Sequence, residues 1–209
     1  MIKLLVVDHH PIIRKGLELL FVTSASMEVV GSLDNGEAIF DFLRREPVDI
    51  ILSEIDLPKL NGITALRRLK VEYPNVKVII FSAHPEAVYA VNIIKAGASG
   101  YVCKTANVIT LKEAIAKVAE GGIYLSNDLA HSTALGYGST SRSRFSYKKL
   151  STREVEVLKL LSVGKKNKEI AQELEINEKT VSTYKTRLMK KLNVDNIVDL
   201  ITQAKLLEL

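Results

Sequence analysis

The first 120 residues alternate between short apolar runs and longer stretches in which apolar residues recur at helical spacing. Ile2–Val7 is apolar apart from Lys3, short enough for a strand buried on both faces. Residues 28–31, 49–53, 76–81 and Gly100–Cys103 read as further strands of that kind. Pro11 opens a helical segment with Ile13, Leu17 and Leu20 on one side, as proline suits a first turn. Helical spacing then covers residues 35–45, 62–73, 86–97 and 109–120. Five strands alternating with five helices predict an α/β doubly wound parallel sheet with helices on both faces. Such sheets gather functional groups at the carboxyl ends of their strands. That rule selects Asp8 and His9, Glu54, Ser82 and Lys104.

The pattern changes after residue 125. Ser126 to Lys149 shows neither period and contains Gly136-Tyr137-Gly138-Ser139-Thr140-Ser141-Arg142-Ser143-Arg144, a tether composition. From Leu150 the signals are helical. Ser151 with Glu154 forms a capping-box pattern, and Gly164 stops that helix. Asn167 is expected to cap a short helix, Glu175-Ile176-Asn177 to turn the chain, and Glu178–Leu192 to form a longer third helix. A fourth runs from Asn196 to Leu206. Short helix, tight turn and longer basic helix is the helix-turn-helix arrangement, although a small bundle with a lysine-rich face fits the same signals. The expected organisation is therefore residues 1–125, a linker at 126–147 and an all-α four-helix domain at 148–209.

At about 100° per residue, Val181, Tyr184, Leu188 and Leu192 share one apolar sector of the third helix. Lys179, Ser182, Thr183, Thr186, Arg187 and Lys190 collect on the opposite one, all able to donate hydrogen bonds and none acidic. Arg187 and Lys190 suit phosphate or guanine, and the small hydroxyls permit close approach to a major groove. Lys185, on the flank, suits phosphate.

Charge sharpens this division. Residues 1–120 hold fourteen Lys/Arg and fourteen Asp/Glu, so the whole formal charge of +5 lies in the rest. A neutral half followed by a basic one suits a polyanion partner for one domain, or a solvated lysine surface. No apolar run reaches the ~20 residues of a membrane span, and the start lacks a secretory pattern. The one cysteine, Cys103, can form no internal disulfide. A cytoplasmic protein without membrane partners is expected. No nucleophile–base constellation or phosphate-cradling glycine loop suggests an enzyme.

Asp8 with His10-Pro11, Glu54 followed by Leu57-Pro58 and Asn61-Gly62, Ser82-Ala83, and Gly100-Tyr101-Val102-Cys103-Lys104 together resemble the receiver domain of two-component response regulators, over about residues 1–122. The resemblance implies a flavodoxin-like fold. It also implies two acids after the first strand that bind Mg²⁺, an aspartate after the third that accepts a phosphoryl group, and a Ser/Thr and a Lys that bind the phosphoryl oxygens. Asp8 then stands as the first metal-site acid, Ser82 as the hydroxyl switch, Lys104 as the lysine, and Tyr101 as the aromatic whose rotation reports the state.

Two positions depart from that pattern. Glu54 stands where the acceptor aspartate belongs, and His9 where the second acid belongs. The extra methylene carries the Glu54 carboxylate about 1.3–1.5 Å further, toward Ser82 and Lys104. Misplacement on the order of 1 Å can cost phosphoryl transfer ~100-fold. Imidazole in place of carboxylate weakens a Mg²⁺ site. The site at Asp8 and Glu54 is thus expected to be vestigial, with weak or absent Mg²⁺ and no cofactor. Three readings stay open: a degenerate receiver working without phosphate through a permanent Glu54–Lys104 pair, an engineered phosphomimic, or a tolerant phosphoacceptor. His9 as a phosphorylated histidine or transition-metal ligand is conceivable; a lone pocket histidine is more often inert. Asp56 lies in the loop beyond the site. Lys104 is expected to be held by Glu54, with Asp8 as a second partner.

Leu150-Ser-Thr-Arg-Glu-Val-Glu-Val-Leu158, Asn167-Lys-Glu-Ile-Ala171, Glu178-Lys-Thr-Val181 and Lys191-Leu-Asn-Val194 resemble the LuxR-type output domain. With the receiver this makes a NarL/FixJ-class regulator, and Val181 to Arg187 looks closest to regulators of virulence and fimbrial genes. The resemblance implies base contacts from Ser182, Thr183 and Thr186, and pairing of two output domains through the last helix. Ile197, Leu200 and Ile201 offer an apolar stripe for that pairing or for the bundle core. The expected function is transcription regulation as a homodimer on double-stranded DNA, through receiver and last helix, without Asp phosphorylation. The alternatives are a phosphorelay-dependent regulator served by a histidine kinase, and a protein-interaction module with incidental DNA binding.

Overall fold

The computed structural model describes residues 1–127, 129 and 150–205. The chain divides into two compact units, residues 1–131 and 132–209. Most of the expected linker, including Arg142 and Arg144, lies outside the described residues, as does Leu206. Among the described residues no helix is long and apolar enough to cross a membrane.

In the first unit, strands β1 (Ile2–Val7), β2 (Met27–Leu33), β3 (Ile50–Ser53), β4 (Lys77–Ser82) and β5 (Gly100–Cys103) alternate with helices. These are α1 (Pro11–Phe21), α2 (Ala38–Leu43), α3 (Gly62–Glu72), α4 (Glu86–Lys95) and α5 (Val108–Ala119). The sheet order is β2-β1-β3-β4-β5, and every neighbouring pair is parallel. Leu4 to Val7 are fully buried, which is why β1 reads as a continuous apolar run. Alternate residues serve opposite faces. Leu4, Val6, Ile50, Leu52, Ile79 and Val102 pack with Leu17 and Phe21 of α1 and with Leu111, Ile115 and Val118 of α5.

On the opposite face α2 comes very close to β2. A Cβ on Gly31 would lie 2.3 Å from the Phe42 ring and 2.9 Å from Leu5, so any larger residue would have to push these side chains aside. The element boundaries differ from expectation where pairing or capping decides them. β2 extends to Leu33 because it stays paired with β1 as far as Val7, with one shift of register between Leu4 and Leu5. α2 starts at Ala38, since the Asn35 side chain accepts a hydrogen bond from the Ala38 N–H ahead of the helix. Ser82 is the last residue of β4 rather than just beyond it.

The second unit contains α6 (Thr152–Ser162), α7 (Asn167–Glu173), α8 (Glu178–Leu192) and α9 (Ile197–Lys205). Its core includes Val155, Leu158, Ile170, Val181, Leu188, Leu192, Leu200 and Ala204. Asn167 does not cap α7. Lys166 holds the cap position, its N–H donating to the Glu169 carboxylate at 2.7 Å. The Asn167 amide instead donates to Ser182 Oγ on α8 at 3.2 Å. Ser151 and Glu154 do form the expected capping box.

Glu154 does more than cap. Its carboxylate accepts from Ser151 N at 2.6 Å and from Lys191 Nζ at 2.7 Å, tying the start of α6 to the end of α8. Burial alone would raise its pKa, but the Lys191 and Ser151 hydrogen bonds outweigh burial and hold it below the ordinary 4.5. A carboxyl depressed on folding stabilises fully above the unfolded value and loses that stabilisation as pH falls through the folded one. Thermal unfolding of the whole chain from about pH 6 down to about pH 3 should therefore show an acid loss that Glu154→Gln reduces. At neutral pH that substitution should cost about 1–2 kcal/mol.

Candidate functional site

The parallel sheet aligns four strand ends, so β1 delivers Asp8, β3 Glu54, β4 Ser82 and β5 Lys104 to one place. Asp8, Glu54 and Ser82 are nearly fully buried, at 2%, 4% and 0% exposure. Lys104 Nζ lies 2.5 Å from Asp8 Oδ2 and 2.5 Å from Glu54 Oε2. The other Glu54 oxygen, Oε1, accepts from Ser82 Oγ at 2.5 Å and from Ile55 N at 2.5 Å. One carboxylate thus gathers a hydroxyl, a backbone N–H and an ammonium.

Close packing leaves Glu54 little freedom. A Cβ on Gly62, the first residue of α3, would lie 2.1 Å from the Glu54 carbonyl oxygen, so glycine lets α3 start directly against the site. Burial alone would raise the Asp8 pKa, but hydrogen bonds from Lys104 and from the His10 backbone and ring outweigh it and hold the carboxyl below its ordinary range. For Lys104 burial acts downward and is outweighed by the hydrogen bonds to Asp8 and Glu54, so the ammonium is held above its ordinary value.

Tyr101 joins the group through the β4–α4 loop. Its ring is fully buried, and its hydroxyl donates to the His84 carbonyl at 2.7 Å. Burial holds that phenol well above its ordinary pKa. The His84 ring stacks on Tyr89, with centroids 4.8 Å apart, and its Nε2 lies 2.9 Å from Asp56 Oδ2. His84 and Asp56 are 28 residues apart in sequence, and no local pattern marks their meeting.

His9 is not part of the ion-paired cluster. It is half-buried beside Asp8, and its neighbour His10 makes the contact, with Nδ1 2.9 Å from Asp8 Oδ1. The His10-Pro11 pair at the start of α1 was the available signal for that residue.

Mg²⁺ calls for about six oxygen donors in near-octahedral geometry. Here one oxygen each of Asp8 and Glu54 is taken by Lys104, the second Glu54 oxygen is doubly engaged, and position 9 offers nitrogen. This donor set does not fit Mg²⁺.

In the second unit, Lys179, Ser182, Thr183, Thr186, Arg187 and Lys190 are all exposed on α8. Val181, Leu188 and Leu192 are buried, while Tyr184 and Lys185 are half-buried at the border. Ser182, Thr183 and Thr186 each donate to the carbonyl four residues earlier, at 3.0, 2.9 and 3.1 Å. Those bonds keep the hydroxyls close to the helix and the surface low. Lys166 and Lys168, exposed at the entrance to α7, are basic groups that the sequence reading passed over. On α9 the expected stripe splits. Leu200 is fully buried in the bundle, Ile197 and Ile201 are half-buried, and Val198 is 67% exposed. Leu200 therefore belongs to the bundle core and is not free to pair.

Residues 4–116 match the response regulator receiver domain, and residues 148–204 match the bacterial regulatory proteins of the luxR family. The chain is 37% identical to the Fimbriae Z protein of Escherichia coli (strain K12), over 98% of this chain and 97% of that one. It is 34% identical to the transcription regulator BvgA of Bordetella pertussis, over 97% and 96% of the two chains. Among solved structures it resembles RcsB from Salmonella enterica serovar Typhimurium bound to promoter P1flhDC in the presence of phosphomimetic BeF3⁻. That match has a TM-score of 0.80 and 25% identity, covering 97% of this chain and 98% of the other.

Removing one partner from a buried ion pair typically costs about 3–5 kcal/mol, because the remaining charge is left uncompensated. Lys104→Met should lower receiver stability by about that amount in urea unfolding. Adding Glu54→Gln should recover part of the loss, since it removes one of the two stranded charges.

Proposed function

The chain belongs to the response regulators that join a receiver domain to a LuxR-type helix-turn-helix domain, and on that premise we propose that it is a sequence-specific DNA-binding transcription regulator whose receiver is set by Glu54 instead of an aspartyl phosphate. The carrying observation for the output is the exposed face of α8, where six donor side chains stand together without an acid among them. In this reading α8 enters the major groove. Ser182, Thr183 and Thr186 face base edges, Arg187 and Lys190 reach guanine or phosphate, and Lys179 and Lys185 hold the backbone. Lys166 and Lys168 contact phosphate from α7, as the first helix of such a motif crosses the backbone. RcsB, solved on a promoter, supports the same use of the shared fold.

The protein acts as a homodimer on two half-sites. Val198, with Ile197 and Ile201 beside it, is the part of α9 left to meet a second copy. On the receiver, Ile12 and Leu19 stand on one side of α1 at 78% and 62% exposure and suit the same purpose.

For the receiver, the carrying observation is the Glu54 carboxylate bound at once by Ser82, Ile55 N–H and Lys104. The resemblance assigns the hydroxyl and the ammonium to phosphoryl oxygens, and here a side chain already occupies both. With Ser82 drawn to Glu54, the buried Tyr101 closes on the His84 carbonyl and the β4–α4 loop is held. The receiver thereby stays in the DNA-binding state, and a histidine kinase is not required.

Two measurements test this. Glu54→Gln should weaken both dimerisation and operator binding by about tenfold, equivalent to about 1.4 kcal/mol, while an acyl-phosphate donor should leave the unaltered protein unchanged. Unchanged binding by the variant, or a gain on adding the donor, would sink the phosphate-free reading. In the output domain, Thr186→Ala should relax base preference at one position at a cost of about 1–3 kcal/mol. Lys190→Ala should weaken all sequences alike and reduce the salt dependence by about one counterion. A protein-interaction module would be indifferent to both changes.

A further inference from the structure

Asp8 has two oxygens with different neighbours. Oδ2 meets Lys104, while Oδ1 faces the His10 ring nitrogen at 2.9 Å. One ligand-capable atom from each of Asp8, His9 and His10 lies within 4.8 Å of the others. The two imidazoles lie side by side, with centroids 3.7 Å apart and planes tilted by 42°. His9 Nδ1 is buried and has no hydrogen-bond partner among the described residues.

We propose that Asp8, His9 and His10 form a binding site for a borderline divalent cation of the zinc class. The donor types decide the class: imidazole nitrogen suits Zn²⁺, Ni²⁺ or Cu²⁺, while Mg²⁺ is served by oxygen. Two imidazoles and one carboxylate also match the three-ligand sets that leave a fourth tetrahedral position open. Bonds of about 2.0–2.1 Å place tetrahedral donors roughly 3.3 Å apart, so the widest present separation must close. His10, whose side chain is 52% exposed, has room to turn. A metal bond made through Nδ1 would also satisfy the buried His9 nitrogen that lacks a partner among the described residues, and unmade buried hydrogen bonds are unfavourable. Asp8 serves both neighbours, with Oδ1 on the cation and Oδ2 on Lys104. The site therefore coexists with the Glu54–Lys104 pair and stands independently of the phosphate-free reading of Glu54.

The test is titration of the untagged full-length chain with Zn²⁺ by calorimetry, with Co²⁺ as a visible-absorption probe. One equivalent should bind, and a large excess of Mg²⁺ should not displace it. His10→Ala and His9→Ala should each weaken Zn²⁺ at least about tenfold. His9→Asp, which supplies the acid that the receiver resemblance expects there, should also lose Zn²⁺ affinity while the thermal transition is kept. Absence of Zn²⁺ binding, displacement by comparable Mg²⁺, or stoichiometric binding indifferent to His9 would overturn the proposal.

Discussion

A single ammonium between two buried carboxylates organises the receiver pocket. Lys104 sits at 2.5 Å from both Asp8 and Glu54, and neither acid has appreciable access to water. Buried carboxylates that share one partner need a counter-charge. Lys104 supplies it, and the same contact fixes where the Glu54 carboxylate ends. Ser82 and the Ile55 N–H then complete its coordination, and Tyr101 packs inward behind them.

That contact exists because the sheet is parallel and fully covered. Each strand ends on the same edge, so residues separated by fifty or more positions in sequence arrive together. Leu4 to Val7 and Ile50 to Leu52 are essentially inaccessible, and each such side chain contributes about 1.5–3 kcal/mol. A well-packed sheet gives the polar edge a rigid base. Against it, one methylene matters, because it sets how far the Glu54 carboxylate reaches toward Ser82 and Lys104. The helices respect the same economy of space, as Gly62 admits α3 against the Glu54 carbonyl.

The output unit solves a different problem with one helix. α8 buries Val181, Leu188 and Leu192 against the bundle and leaves its opposite side low, polar and basic. The hydroxyls fold back on their own backbone, so that side of α8 stays low. Glu154 joins the far end of α8 to the cap of α6, which sets α8 relative to α6 within this unit.

Periodicity and local chemistry were enough to read much of this. Five apolar runs implied five buried strands, the Ser151–Glu154 pattern a helix start, and angle arithmetic the exposed face of α8, because each depends on residues near one another in sequence. The strand ends likewise named Asp8, Glu54, Ser82 and Lys104, since the parallel topology itself dictates where they gather. Local signals misled where a side chain had a distant use. Asn167 looks like a cap but spends its amide on Ser182. The α9 stripe fitted either pairing or the bundle core, and burial assigns Leu200 to the core. His84 on Asp56 and Tyr101 left no pattern to find, because packing alone brings them into contact. The sequence by itself determined the elements, their order and the acids at the strand ends, through backbone periodicity and burial. Only the tertiary structure decided which atoms share Lys104 and which acid His84 meets, because those contacts depend on separations of a few tenths of an ångström between chain segments far apart in sequence.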